Sequence, residues 1–169
     1  MKPFADTNIL VYAATLDDEH KQILARGLVS RPYAQALTIS TQVLGEAFNV
    51  LTLRKRWAAS EALAAVQVFA TLRVYVPSAE TVMRGLGLAA RHELSTWDAL
   101  IVQAAVEAGC DTLFSEDLQA GRRFGALVVV NPFEAQAHEP LAGAAWPAAA
   151  KARPPLAPAK RRRAGTARK

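Results

Sequence analysis

Four acidic residues, Asp6, Glu46, Asp98 and Asp117, stand where the chain's local pattern changes, and together they could hold a cation. Asp6 ends the strand-like run Lys2-Pro3-Phe4-Ala5, and Asp117 follows the run Thr112-Leu113-Phe114-Ser115 by two residues. Asp98 falls in the first turn of a helix opened by Ser95, and Glu46 interrupts the apolar series Val43, Leu44, Ala47, Phe48. Each acid also has a plain structural use. Asp6 could cap the helix that follows it. Asp98 could close a capping box with Ser95. Asp117 could open a turn, and Glu46 could lie in solvent at the rim of its helix. As a set they say more: converging carboxylates repel one another unless a cation neutralises them. All-oxygen, hard ligands of this kind suit Mg²⁺ or Mn²⁺.

The elements needed to gather these acids can be read along the chain. Strands are expected near residues 2–5, 36–39, 73–76, 112–115 and 126–130. Helices are expected over 7–14, from the acidic start Asp17-Asp18-Glu19 to about Val29, over 41–56, 60–72 and 79–92, and from Ser95 through Ala108. The helix at 41–56 follows from Val43, Leu44, Ala47, Phe48, Val50 and Leu51 at helical spacing. Strands alternating with helices imply an α/β fold with a central parallel sheet flanked by helices on both faces. In such sheets ligands sit at the carboxyl ends of the strands. Helices begin at that same edge, so Asp6, Asp98 and Asp117 fall there together. Glu46 borders the stripe of Val43, Ala47 and Val50 and can face inward.

Charge is divided unevenly. Of 20 Lys+Arg and 15 Asp+Glu, residues 1–139 hold 12 basic and all 15 acidic residues, a balance of −3. Residues 140–169 hold the other 8 basic residues and no acid, a balance of +8. The expected division is a folded domain over residues 1–136 and a basic, Ala/Pro-rich, disordered tail over 137–169. The single cysteine, Cys110, excludes an internal disulfide and a Cys-rich zinc site, and its apolar setting points to a buried, inert thiol. No apolar run approaches the ~20 residues needed to span a bilayer. An acid interrupts the N-terminus before a signal-peptide core can form. A cytoplasmic protein with no membrane segment is the expectation.

Asp6-Thr7-Asn8-Ile9-Leu10-Val11-Tyr12 resembles the opening motif of PIN-domain nucleases. Gly45-Glu46-Ala47-Phe48-Asn49-Val50-Leu51, Trp97-Asp98-Ala99-Leu100-Ile101 and Leu113-Phe114-Ser115-Glu116-Asp117-Leu118 resemble that family's other three motifs, in order. The combination is most similar to the VapC toxins of bacterial toxin–antitoxin pairs, and it covers residues 1–133. The resemblance implies a PIN-like three-layer fold and an acidic quartet of Asp6, Glu46, Asp98 and Asp117, with Asp6 and Asp98 as direct metal ligands. Glu116 stands beside Asp117, so the last motif admits either acid. Thr7, Asn8 and Ser115 match supporting polar positions. The basic extension departs from the compact family pattern.

What the resemblance implies chemically is hydrolysis of RNA phosphodiester bonds by an endoribonuclease that uses Mg²⁺, or Mn²⁺ in its place. The metal lowers the pKa of its water and polarises the phosphoryl oxygen, while a carboxylate orients or deprotonates the attacking water. No histidine is required; His20, His92 and His138 lie outside the motifs. Arg54, Lys55, Arg56, Arg122 and Arg123 are candidates for holding the RNA backbone, or else are ordinary surface charges. The implied partners are an RNA substrate, an antitoxin protein and a second copy in a homodimer. A haloacid-dehalogenase-type phosphatase would need an acid where Asn8 stands, and a response-regulator receiver would need a lysine within Val130-Asn131-Pro132. The alternative of another kind is a catalytically idle module of the same fold that binds RNA or a protein.

Overall fold

A computed structural model of the chain describes residues 1–30 and 33–134, so the tail expected over 137–169 lies outside the described residues. Within them the chain runs β1 (Pro3–Ala5), α1 (Thr7–Ala14), α2 (Glu19–Val29), β2 (Thr38–Ser40), α3 (Thr41–Asn49), α4 (Ala59–Phe69), β3 (Arg73–Tyr75), α5 (Ala79–His92), α6 (Thr96–Glu107), β4 (Thr112–Phe114), β5 (Arg123–Phe124) and β6 (Leu127–Val130). The strands form one sheet in the order β3-β2-β1-β4-β6-β5. Five of them are parallel, as the alternating pattern requires. β5 was not anticipated. It has two residues and pairs antiparallel with β6, Phe124 opposite Leu127, too short to leave an alternating signature.

The order of the strands fixes where the helices go. From β1 the chain steps outward to β2 and then β3, and it returns past β1 to reach β4. Parallel crossovers are right-handed, so α1 to α4 cover one face and the α5–α6 pair covers the other. The sheet is sealed on both sides: Phe4, Ile39, Leu113 and Val129 of the strands are buried among Ile9, Leu10, Leu28 and Val43 of one layer and Ile101 and Val102 of the other. Strands buried on both faces read as continuous apolar runs, which is why Leu127-Val128-Val129-Val130 was recognisable. Gly85 lets α5 and α6 approach closely: a Cβ there would lie 2.8 Å from Leu100 Cδ2 and 3.3 Å from Leu100 Cα, so the helices would have to give by a few tenths of an ångström even if the Leu100 side chain turned away.

The long helix expected over 41–56 changes character partway. Its α-helical part stops at Asn49, and Val50–Arg54 continue as a π-helix closed by Lys55 N donating to Val50 O at 3.0 Å. Thr52 supplies a local reason: its hydroxyl donates to the carbonyl of Phe48 at 2.8 Å and so competes for the helix's own acceptors. Cys110 is buried as expected, and burial pushes its thiol pKa up. Among the described residues no helix is long and apolar enough to cross a membrane.

Candidate metal centre

The sheet reverses direction of growth between β1 and β4, and the crevice at such a switch point is where α/β sheets place ligands. Asp6 leaves β1 there, and Ser115 leaves β4 beside it. Ala5 lies opposite Phe114, and Asp6 N donates to Phe114 O at 3.0 Å. The fold therefore delivers residues 109 apart in sequence to one point without any choice of side chain.

Asp6 is 4% exposed, and three groups share its carboxylate. Oδ1 accepts the Thr7 amide at 2.6 Å, which also makes Asp6 the N-cap of α1. Oδ2 accepts the Ser115 hydroxyl at 2.6 Å and the Asn8 side-chain amide at 3.2 Å. The same Asn8 amide donates to Asp117 Oδ2 at 3.1 Å. Thr7 points the other way, its hydroxyl donating to Glu46 Oε2 at 2.6 Å. Two polar neighbours of Asp6 thus bridge it to two more acids. Ser115 also accepts the amides of Asp117 and Leu118 at 3.2 and 3.3 Å, so it shapes the loop that carries the fourth acid.

Asp98 joins less directly. It stands half-buried in the first turn of α6, where Ser95 Oγ accepts its backbone amide at 3.1 Å. Its tie to the cluster runs through Gln42, whose side-chain amide lies 3.3 Å from both Glu46 Oε1 and the carbonyl of Trp97. Gln42 is not among the residues expected from the sequence, although its place one turn ahead of Glu46 on α3 is a usable signal. Lys21 is not among them either, and no spacing rule points to it. Lys21 is ion-paired with Glu116 and donates to the Tyr12 hydroxyl at 3.2 Å. Of the two adjacent acids in the last motif, Glu116 therefore faces Lys21, and Asp117 faces Asn8.

The electrostatics follow from this crowding. Burial pushes the Asp6 pKa up from 3.8 to about 6; the hydrogen bonds from Ser115 and Thr7 oppose the rise, and the charges of Asp117 and Glu46 add to it. Among the described residues no three His, Cys, Asp or Glu side chains form a ready-made ligand cage, because Thr7 and Asn8 lie between the carboxylates. The donor set nevertheless fits a hard cation. It is made of oxygens, its central carboxylate is destabilised by burial and then by its neighbours' charge, and the buried Asn8 Oδ1 has no hydrogen-bond partner among the described residues.

The basic residues scatter. Lys55 is spent on Asp17 at 2.6 Å, at the far end of α3 from its start at the sheet edge. Its neighbours Arg54 and Arg56 are exposed there. Arg122 donates to the carbonyl of His92 at 2.8 Å and lies over the Phe124 ring, tying the loop after Asp117 to the α5–α6 connection. Arg123 is exposed on β5.

Comparison with known proteins agrees with this fold. Mycobacterium tuberculosis VapC20, described as a sarcin–ricin loop cleaving toxin, matches with a TM-score of 0.57 at 22% identity, over 68% of this chain and 91% of that one. Rickettsia felis VapBC2, bound to a DNA fragment from its promoter, matches with a TM-score of 0.56 at 21% identity, over 76% and 97%. A Klebsiella pneumoniae toxin–antitoxin complex matches with a TM-score of 0.58 at 19% identity, over 78% and 98%. At these identities the likeness is one of fold. No curated protein matches the sequence. The profile of the PIN domain family matches residues 4–123, most of the chain, and that span contains all four acids, so the chain belongs to the PIN domain family.

Proposed function

We propose that this protein is a Mg²⁺-dependent endoribonuclease, and that it is the toxin of a toxin–antitoxin pair. The observation that carries the reading is the buried Asp6 carboxylate at the switch point, linked through Thr7 to Glu46 and through Asn8 to Asp117. Membership of the PIN family supports a nuclease, and the shared fold with toxins of toxin–antitoxin systems supports the biological role.

In this reading Asp6 and Asp98 hold the metal, with Glu46 and Asp117 completing the site. When bound, Mg²⁺ supplies a Lewis acid for the phosphoryl oxygen and makes its water more acidic; Mn²⁺ is an acceptable substitute. The chain's own residues do the remaining work. Ser115 and the Thr7 amide fix the rotamer of Asp6, so its position is set before substrate arrives. The Thr7 hydroxyl and Gln42 fix both oxygens of Glu46, which suits it to orient the attacking water and take its proton. Asn8 keeps Asp117 at the rim, where a substrate phosphate arrives.

The test is cleavage of a mixed RNA pool by purified protein with Mg²⁺, Mn²⁺ or EDTA, beside Asp6→Asn and Asp98→Asn. Metal-dependent cuts that both variants lose would establish the reading. RNA binding without cleavage by folded, inhibitor-free protein would replace it with the idle-module reading. The toxin role predicts an antitoxin partner, as in the Rickettsia and Klebsiella complexes, and a homodimer. Growth arrest on expression should be relieved by the product of the adjacent reading frame, and arrest that this product leaves untouched would refute the pairing.

A further inference from the structure

Trp97 is an exposed aromatic side chain beside a proposed metal ligand. It is 61% exposed in the first turn of α6 and is followed directly by Asp98. A scattered apolar residue at the surface needs no explanation, but an indole carries a large apolar face, and this one stands at the mouth of an acid site. That site must take a polyanion with little help from charge. Residues 1–139 carry a balance of −3, Lys21 is paired with Glu116, and Arg122 donates to the carbonyl of His92. A contact to the bases is free of the repulsion that acids exert on phosphates, because every base presents a neutral π-face to an aromatic side chain.

Gln42 fixes Trp97 relative to the acids. Its side-chain amide lies 3.3 Å from Glu46 Oε1 and 3.3 Å from the carbonyl of Trp97, so a single side chain spans from the acid cluster to the first turn of α6. Gln42 and Leu100 also line a surface hollow of about 320 Å³, whose other walls are Thr41, Pro77, Thr81 and Val82. Leu100 is three residues beyond Trp97, so the two share one face of α6. The hollow thus begins one side chain from Glu46 and one helical turn from Trp97. Its volume is at the low end of small-ligand sites. Pro77, Val82 and Leu100 give it apolar walls, and Thr41 and Gln42 give it polar groups. The Thr81 hydroxyl is already spent on Glu107. Such a lining suits a flat ring with a polar edge.

We infer that Trp97 stacks on a base flanking the phosphate that the acid site cuts, beside the hollow bounded by Gln42 and Leu100. The inference rests on the ribonuclease reading. Trp97 is then a substrate-binding residue, and only a base unstacked from its neighbours can reach it. The contact gives an acidic surface a hold on RNA that does not depend on cations.

The experiment measures binding of a fluorescent single-stranded RNA to the full chain carrying Asp6→Asn, alone and with Trp97→Ala or Trp97→Phe. Loss of one stacked base should weaken binding about tenfold in Trp97→Ala, and Trp97→Phe should keep most of the affinity. In the otherwise unmodified chain, Trp97→Ala should raise the KM for RNA cleavage by a similar factor and change kcat little. A third protein carries Trp57→Phe and Trp146→Phe with Asp6→Asn, leaving Trp97 as its one tryptophan. RNA should quench its fluorescence, and a chain of abasic ribose phosphates should not. Unchanged affinity and KM in Trp97→Ala overturn the inference, as does equal quenching by the abasic chain. If Trp97→Ala turns a dimer into monomers while RNA affinity stays the same, the indole belongs to a subunit contact and the inference falls. RNA cleavage by the unmodified chain keeps the two readings apart: cutting with no effect of Trp97→Ala sinks only this inference, and no cutting with no RNA binding sinks both.

Discussion

Two carboxylates of this molecule each accept several hydrogen bonds, and they have opposite fates. Glu107, near the end of α6, accepts the Thr81 hydroxyl at 2.7 Å, the Gln103 amide at 2.7 Å, the Tyr75 hydroxyl at 2.8 Å and Arg84 Nε at 2.8 Å. The Thr81 and Gln103 bonds, followed by those from Tyr75 and Arg84, hold its pKa down at about 2. Asp6 also accepts three hydrogen bonds, yet its pKa is pushed up to about 6, because it is buried and its charged neighbours are acids. Glu107 has its cation built in, and it pins β3, α5 and α6 together. Asp6 has orienting groups and, among the described residues, no cation of its own. On the proposed function, the contrast separates a carboxylate used for stability from one that would take an ion.

The largest expected effect is on activity. Asp6→Asn should lower RNA cleavage by about 10³-fold or more, from loss of a metal ligand and its positioned charge, while Glu107→Gln should cut at close to the normal rate. If the two variants lose similar activity in an RNA cleavage assay, the division fails.

Stability should move the other way. A pKa raised from 3.8 to about 6 means the ionised Asp6 costs the metal-free protein about 3 kcal/mol at pH 7. In EDTA, Asp6→Asn should therefore be more stable to urea than the parent, by as much as that amount. Glu107→Ala should instead lose about 1.5–3 kcal/mol, because hydrogen-bond donors are left facing an empty acceptor site.

pH sharpens the same division. The Asp6 contribution is fully present below about pH 4 and is lost as pH rises to about 6. The Glu107 contribution is present above 4.5 and is lost as pH falls toward about 2. Urea unfolding in EDTA across pH 2–8 should show the neutral-side loss vanish in Asp6→Asn and the acid-side loss shrink in Glu107→Gln. Identical pH profiles for the parent and both variants would break the electrostatic account.

The smallest effect is the most local. Lys21→Met removes the partner of Glu116 and loosens the loop that carries Asp117. Supporting residues of this kind tune metal affinity by about 10-fold, so Mg²⁺ titration of activity should shift by roughly that factor with the maximal rate little changed. A change confined to the maximal rate would assign Lys21 a different role.

Much of this was legible before the structure. Asp6 and Asp117 could be placed because strand ends and ligand crevices coincide in parallel sheets, and the apolar strands identified themselves. The inward turn of Glu46 followed from the stripe of Val43 and Ala47. Hidden from the sequence were contacts made across elements. Lys21 meets Glu116 over a separation of 95 residues, and the Glu107 pocket draws its donors from β3, α5 and α6. Periodicity carries no information about such pairs. The change to a π-helix at Val50 and the two-residue β5 were invisible for a different reason, since both are too short to set a period.

The central claim is most directly tested by direct binding of Mn²⁺, followed by electron paramagnetic resonance, to the parent, Asp6→Asn and Glu107→Gln proteins without RNA. The account predicts specific Mn²⁺ binding by the parent and by Glu107→Gln, displaced by Mg²⁺ and lost in Asp6→Asn. Equal Mn²⁺ binding by all three proteins, or none by the folded parent, would contradict it.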